Sequence, residues 1–169
     1  MKAVTAAQMR ELDRRTIAAG TPGAELMERA GFAVAQTVLA LLKKLDARSV
    51  LLFAGKGNNG GDAVVAARHL AAAGCTTTLV RVGRRGDAAD QLTGVEVCDW
   101  PCELPGAAVI VDGILGTGFT GEVREPIASA IQFINQARRP VVAIDVPSAF
   151  QVRADATVTM GLPKIDLLK

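Results

Sequence analysis

Ser49 to Val82 reads SVLLFAGKGNNGGDAVVAARHLAAAGCTTTLVRV. Its first six residues, Ser49 to Ala54, form a short continuous apolar run, the pattern of a central parallel strand covered on both faces. Gly55 to Gly61 is a glycine-rich turn. Asp62 to Ala73 has helical character and stops at Gly74. Thr76 to Val82 is β-branched and reads as a second strand. A strand, a helix and a strand in this order form a unit that crosses over right-handed and pairs its strands in parallel.

Working outward, Thr5-Ala6-Ala7-Gln8 reads as a capping box (sequence as in). Met9, Leu12, Thr16 and Ile17 then share one helical face, and Gly20 suits the helix end. A second helix is expected from Gly23 to about Leu42, with Leu26, Met27, Ala30, Val34, Val38 and Leu41 as its buried stripe. On the other side, Gly83 to Asp90 is polar and turn-like, and Val95 to Val97 is a short strand. Trp100 to Gly106 reads as irregular. Ala108 to Asp112 and Pro140 to Asp145 are buried strands, with a helix from Pro126 to about Gln136 between them. Ala156 to Met160 is the last strand. The expected fold is α/β: one domain over residues 1–169, a doubly wound, Rossmann-like three-layer α/β/α sandwich with a mostly parallel sheet and two leading helices.

Composition removes several function classes. The formal net charge is +2, which gives no general electrostatic case for nucleic acid. Lys43-Lys44 and Arg84-Arg85 read as solvated pairs. The only histidine is His69, and Cys98 with Cys102 lacks a second Cys/His pair, so a zinc site is not expected. Reduced thiols at Cys75, Cys98 and Cys102 point to the cytoplasm. No signal peptide or membrane span is visible.

Three loops follow three apolar strands, and ligands of open α/β sheets bind beyond the carboxyl ends of the strands. Gly55-Lys56-Gly57-Asn58-Asn59-Gly60-Gly61-Asp62 lets backbone N–H groups approach an anion, and the paired asparagines add donors and acceptors. It is not a P-loop, since no Gly-Lys-Ser/Thr closes it. The simpler alternative is a tight turn capped by Asp62. Asp112 to Glu122 again mixes glycines with hydroxyls, and Asp112 closes a buried strand where a carboxylate needs partners or a cation. Asp145-Val146-Pro147-Ser148 ends another strand. There Asp145 either caps a backbone turn or is an acid/base aimed into the site.

Gly57-Asn58-Asn59-Gly60-Gly61-Asp62 with Val65-Ala66-Ala67-Arg68-His69-Leu70, Val111 to Gly118, and Ala143 to Ser148 resemble, in order, the three motifs of the NAD(P)HX epimerases, the YjeF N-terminal domain family. Leu26 to Gly31 and Thr159 to Lys164 resemble its helical motif and closing strand. The resemblance implies an isomerase that interconverts the R and S hydrates of NADH and NADPH, NADHX and NADPHX. It implies that Asn58, Asn59, Gly60, Gly61, Asp62, the loop Gly116, Thr117, Gly118, Phe119, Thr120, Gly121 and Glu122, and Asp145 contact the substrate. It implies a potassium ion, K(+), held by Asn59, Asp112 and Ser148, with Asp145 as the catalytic acid/base. It further implies an NAD(P)HX dehydratase as fused or metabolic partner, and a homodimer through the first helices. The same apolar stripe could equally be spent on the sheet.

The chain departs from the family pattern at Ala63 and Ala149, where glycine is usual, and at Arg29, where Asn is usual. The acidic, glycine-containing stretch after Ala149 is missing, the segment between Val82 and Val95 is short, and the chain ends soon after Lys164. Ala149 at positive φ would carry strain that glycine avoids. Two other readings stand beside the epimerase: a non-catalytic nucleotide-binding or protein-interaction module, and a dehydrogenase-like enzyme, against which no acidic residue follows the second strand to hold a ribose and Arg84 reads as solvated rather than as a 2′-phosphate contact. The chain also reads as a fragment of a longer bifunctional protein.

Overall fold

The computed structural model describes residues 3–83 and 92–168. Its elements run α1 (Ala6–Ala18), α2 (Gly23–Lys44), β1 (Ser49–Ala54), α3 (Asn58–Ala72), β2 (Thr76–Arg81), β3 (Val95–Asp99), β4 (Val109–Gly113), α4 (Ile127–Gln136), β5 (Val141–Ile144) and β6 (Ala156–Val158). The six strands form one sheet in the order β3-β2-β1-β4-β5-β6, and every described pairing is parallel. The order reverses between β1 and β4, which makes the ends of these strands a switch-point crevice.

β1 shows why the sheet needs cover on both sides. Val50, Leu52 and Ala54 belong to the core under α2 and α3, with Val34, Val38 and Leu70. Leu51 and Phe53 face the opposite way, into a core with Ile131 and Ile134 of α4. Alternate side chains leave opposite faces of a strand, so a run that is apolar at every position requires two layers of helices. α2 and α3 pack very closely. A Cβ built on Gly31 would lie 2.4 Å from the Val65 Cβ, so only glycine permits this approach.

The Thr5–Gln8 capping box forms, with Thr5 N–H donating to the Gln8 side chain at 2.9 Å and Gln8 N–H donating to Thr5 Oγ1 at 3.2 Å. The apolar face of α1 is not packed into the core: α1 has no buried residue. The stripe of α2 is also divided. Val34 and Val38 are buried, whereas Leu26, Met27 and Ala30 are half-buried and line a cavity. Trp100 to Gly106 is irregular, as expected, and Trp100 packs against Phe133 at a ring separation of 5.3 Å.

Strand boundaries differ at the loop ends. β3 continues to Asp99, two residues beyond expectation, because it pairs with β2 up to Arg81. β6 stops at Val158 rather than Met160, since the Met160 N–H leaves the ladder and donates to Asp145 Oδ1. β5 stops at Ile144 because Asp145 adopts φ 66, outside the strand region. The Gly83 to Asp90 turn and the Arg84-Arg85 pair fall almost wholly outside the described residues. No described helix is long and apolar enough to cross a membrane.

Candidate active site

The helix after β1 begins at Asn58, four residues ahead of the expected start at Asp62. Asn58 to Gly61 therefore form the first turn of α3 rather than a loop. The turn into the helix is compressed against the backbone of its neighbours. A Cβ on Gly55 would lie 1.8 Å from the Ile114 carbonyl oxygen, and one on Gly60 would lie 1.9 Å from the Gly55 carbonyl oxygen. Two glycines thus let α3 start directly against the β4 loop, and its free N–H groups open at the strand ends. Asp62 is not a cap, since Gly57 holds that position without a side-chain bond.

Three loops are stitched together by polar side chains. Asn59 Nδ2 donates to the Leu115 carbonyl at 3.2 Å and to the Ile144 carbonyl at 2.7 Å. One amide thereby links the turn after β1 to those after β4 and β5. Asp112 is fully buried and accepts from the Ser148 hydroxyl at 2.5 Å, the Ser148 N–H at 2.7 Å and the Ile114 N–H at 3.3 Å. Ser148 Oγ in turn accepts from the Leu115 N–H at 2.8 Å. Burial pushes the Asp112 carboxyl up, and the Ser148 hydroxyl and N–H pull it back. No basic side chain partners this carboxylate among the described residues. The Asn59 Oδ1 atom points at Gly116, where an added Cβ would meet it at 2.7 Å.

Above this floor lies a cavity of about 820 Å³, within the size range of small-molecule and cofactor sites. Of the expected substrate contacts, Asn58, Asn59, Asp62, Gly116, Thr117, Gly118, Phe119 and Asp145 line it. Gly60 and Gly61 sit behind the lining, and Thr120, Gly121 and Glu122 continue outward as exposed loop. Asp112 and Ser148 lie beneath the floor rather than in the wall.

Asp145 both takes a backbone N–H and faces the site. It accepts from the Met160 N–H at 3.2 Å and forms an ion pair with the Lys164 ammonium. Lys164 is only 1% exposed and also donates to the Met160 carbonyl at 2.7 Å. Its backbone is held by the other end of the chain: Val4 N–H donates to Pro163 O, and Ile165 N–H to Val4 O, both at 3.0 Å. Sequence reasoning assigned no role to Lys164. Its only signal was one lysine in the segment Met160-Gly161-Leu162-Pro163-Lys164. Asp13 was missed too, although Met9, Asp13 and Ile17 fall at four-residue intervals, and all three line the cavity.

Asp62 is 6% exposed and lines the cavity with no hydrogen-bond or ion-pair partner among the described residues. Burial, and then the charge of Asp145, push its carboxyl up to about 7. Burial also raises Asp13, opposed by Lys164.

The sequence profile described as YjeF-related protein N-terminus matches residues 23–165. The chain is 40% identical to the bifunctional NAD(P)H-hydrate repair enzyme Nnr of Pyrobaculum aerophilum, over 99% of its own length but only 38% of that protein. It is 36% identical to the NAD(P)H-hydrate epimerase of Limosilactobacillus fermentum, covering 99% of this chain and 89% of that one. The crystal structure of yeast ynu0 superposes with a TM-score of 0.82 at 26% identity, covering 97% of this chain and 82% of that chain. A profile match across most of the chain, with the Limosilactobacillus fermentum epimerase matched over 89% of its length, places this protein in the YjeF-related protein N-terminus family.

Proposed function

We propose that this protein is an NAD(P)H-hydrate epimerase, an isomerase that interconverts the R and S forms of NADHX and NADPHX. The observation that carries the reading is the convergence of Asn59, Asp62, Asp145 and Lys164 on one cavity at the switch point, in a chain whose relatives bear that activity in their names. The substrate carries a hydroxyl at C6 of the nicotinamide ring, beside the ring nitrogen. The nitrogen lone pair expels hydroxide, giving an iminium, and water adds to the opposite face. Asp145 moves the proton at one face, and its charge stabilises the cation. Lys164 fixes the orientation of Asp145. The first turn of α3 offers N–H groups for the pyrophosphate.

Asn59 Oδ1, the Asp112 carboxylate and Ser148 Oγ are an oxygen-only donor set around a buried carboxylate that lacks a basic partner among the described residues. This set fits potassium, a hard cation of low charge. When bound, that ion supplies positive charge that holds the three loops in register. The bifunctional relatives make a dehydratase the natural fused or metabolic partner, and the free thiols of Cys75, Cys98 and Cys102 suit the cytoplasm. Residues 1–169 act as one catalytic domain in this reading.

The test uses the pure R hydrate with a dehydratase specific for the S form. Added protein is expected to speed consumption beyond the spontaneous rate. Asp145→Asn should lower that rate by about 100-fold or more, with dinucleotide binding retained and folding checked by circular dichroism. Binding without acceleration by the unmodified chain would favour the non-catalytic module instead.

A further inference from the structure

An inversion at C6 needs a proton delivered to the oxygen that leaves one face and a proton removed from the oxygen that arrives at the other. Asp145, tied to Lys164, can serve only one of these faces at a time. The cavity holds a second carboxyl with different surroundings. Asp62 reaches it from the second turn of α3, whereas Asp145 and Lys164 reach it from the end of β5 and the closing segment. Asp62 is more than nine-tenths buried, yet no described side chain or N–H bonds to its carboxyl. A buried polar group without a partner costs stability, a cost that an apolar residue does not carry. The arrangement makes sense if the missing partner arrives with the substrate.

We propose that Asp62 is the second proton-transfer residue of the site, giving its proton to the departing C6 hydroxyl while Asp145 takes one from the incoming water. The inference rests on the epimerase reading above. In the R to S direction, or its reverse, the C6–O bond breaks as the ring nitrogen lone pair forms the iminium. The oxygen leaves as water with the Asp62 proton. A second water forms the new C6–O bond from the opposite face and passes its proton to Asp145. Return of that proton to Asp62 through solvent restores the starting state, and no oxidant or reductant is needed. The opposite reaction uses the same two groups with roles exchanged, as microscopic reversibility demands.

The surroundings of Asp62 favour the neutral acid before reaction. Burial and the nearby Asp145 charge keep its carboxyl protonated up to about pH 7. Lys164 is already engaged by Asp145 and the Met160 carbonyl. Arg10 and Asp13 face the cavity from the exposed side of α1, and Lys56 and Glu125 from exposed loop positions. On α2, Arg29 pairs with Glu25, and Glu28 pairs with Arg68 and His69.

The experiment compares the intact protein with Asp62→Asn in the coupled assay from pH 5.5 to 8.5 (roughly the range that brackets a carboxyl near 7), after subtraction of the spontaneous rate. Asp62→Asn should lower kcat by about 100-fold with KM little changed, and with NADPH binding retained. The kcat of the intact protein should fall as pH rises through about 7, and that falling limb should be absent in the variant. Turnover of Asp62→Asn near the unmodified rate overturns the proposal. So does loss of NADPH binding together with turnover, which would make Asp62 a structural residue. The pH profile of the intact protein needs no variant, and a flat profile across neutrality overturns it equally. If the intact protein does not accelerate epimerisation at all, the activity itself falls and takes this role with it.

Discussion

At the scale of single residues, the site is a set of buried polar groups whose partners differ in kind. Asp112 has three donors, Asp145 has a lysine, and Asp62 has none among the described residues. Asp62 makes a prediction about stability that is separate from turnover. Its carboxyl titrates near 3.8 when unfolded and about 7 when folded. The folded state therefore holds the proton more tightly. The contribution to stability is complete below about pH 4 and is lost as pH rises through about 7. Asp62→Asn lacks this loss, so at pH 8 it should be more stable than the unmodified protein by on the order of a few kcal/mol and melt at a higher temperature, and near pH 4 the two should melt together. Thermal melts at the two pH values check the sign. The floor makes a second prediction: at equal ionic strength, potassium chloride should raise the melting temperature above that in tetramethylammonium chloride, and Asn59→Ala should remove the difference. An identical melt in both salts would count against a cation on Asn59, Asp112 and Ser148.

At the scale of elements, what matters is how turns end strands. The turn after β5 holds three residues at positive φ: Asp145 at 66, Ala149 at 53 and Phe150 at 54. For Asp145 the left-handed conformation swings its carboxylate out of the strand toward Lys164. Aspartate tolerates this region better than most residues. Ala149 gains nothing comparable, and the strain expected there is present. Ala149→Gly should stabilise the protein by about 0.5–1 kcal/mol, the left-handed penalty less the extra unfolded freedom of glycine. Urea unfolding measures it, and a loss of stability would show that the Ala149 methyl contributes packing of its own. The short return from this turn to β6 is closed by Asp155, whose carboxylate accepts from the Val141 N–H at 2.8 Å. That bond seats β6 beside β5 despite the missing residues.

For the whole molecule, the open question of the first helices has a structural answer in part. The apolar face of α1 is not spent on the sheet. Leu12 is 39% and Ile17 48% exposed, and Phe32 on α2 is 47% exposed. A second copy covering this surface would bury α1 and close the Met9–Asp13–Ile17 wall of the cavity. The expected outcome is a dimer by sedimentation at micromolar concentration, converted to monomer by Leu12→Glu with Ile17→Glu. A monomer in the unmodified protein would leave the surface for a different partner.

The sheet was legible in the residues themselves. Runs such as Val50–Ala54 and Val109–Val111 are apolar at every position, the pattern of a parallel strand covered on both faces. The three site loops were legible for the same reason, since parallel strands present all their carboxyl ends on one edge. What the chain could not disclose was depth. Nothing in the string distinguishes the solvent-facing α1 stripe from the buried half of α2, because burial depends on what packs opposite. The ion pair of Lys164 with Asp145 was hidden likewise, and so was the burial of Asp62 in the cavity wall. A lysine is unremarkable until Asp145 and Val4, from 19 and 160 residues away, close over it, and the carboxyl of Asp62 is pushed up only once packing removes its water.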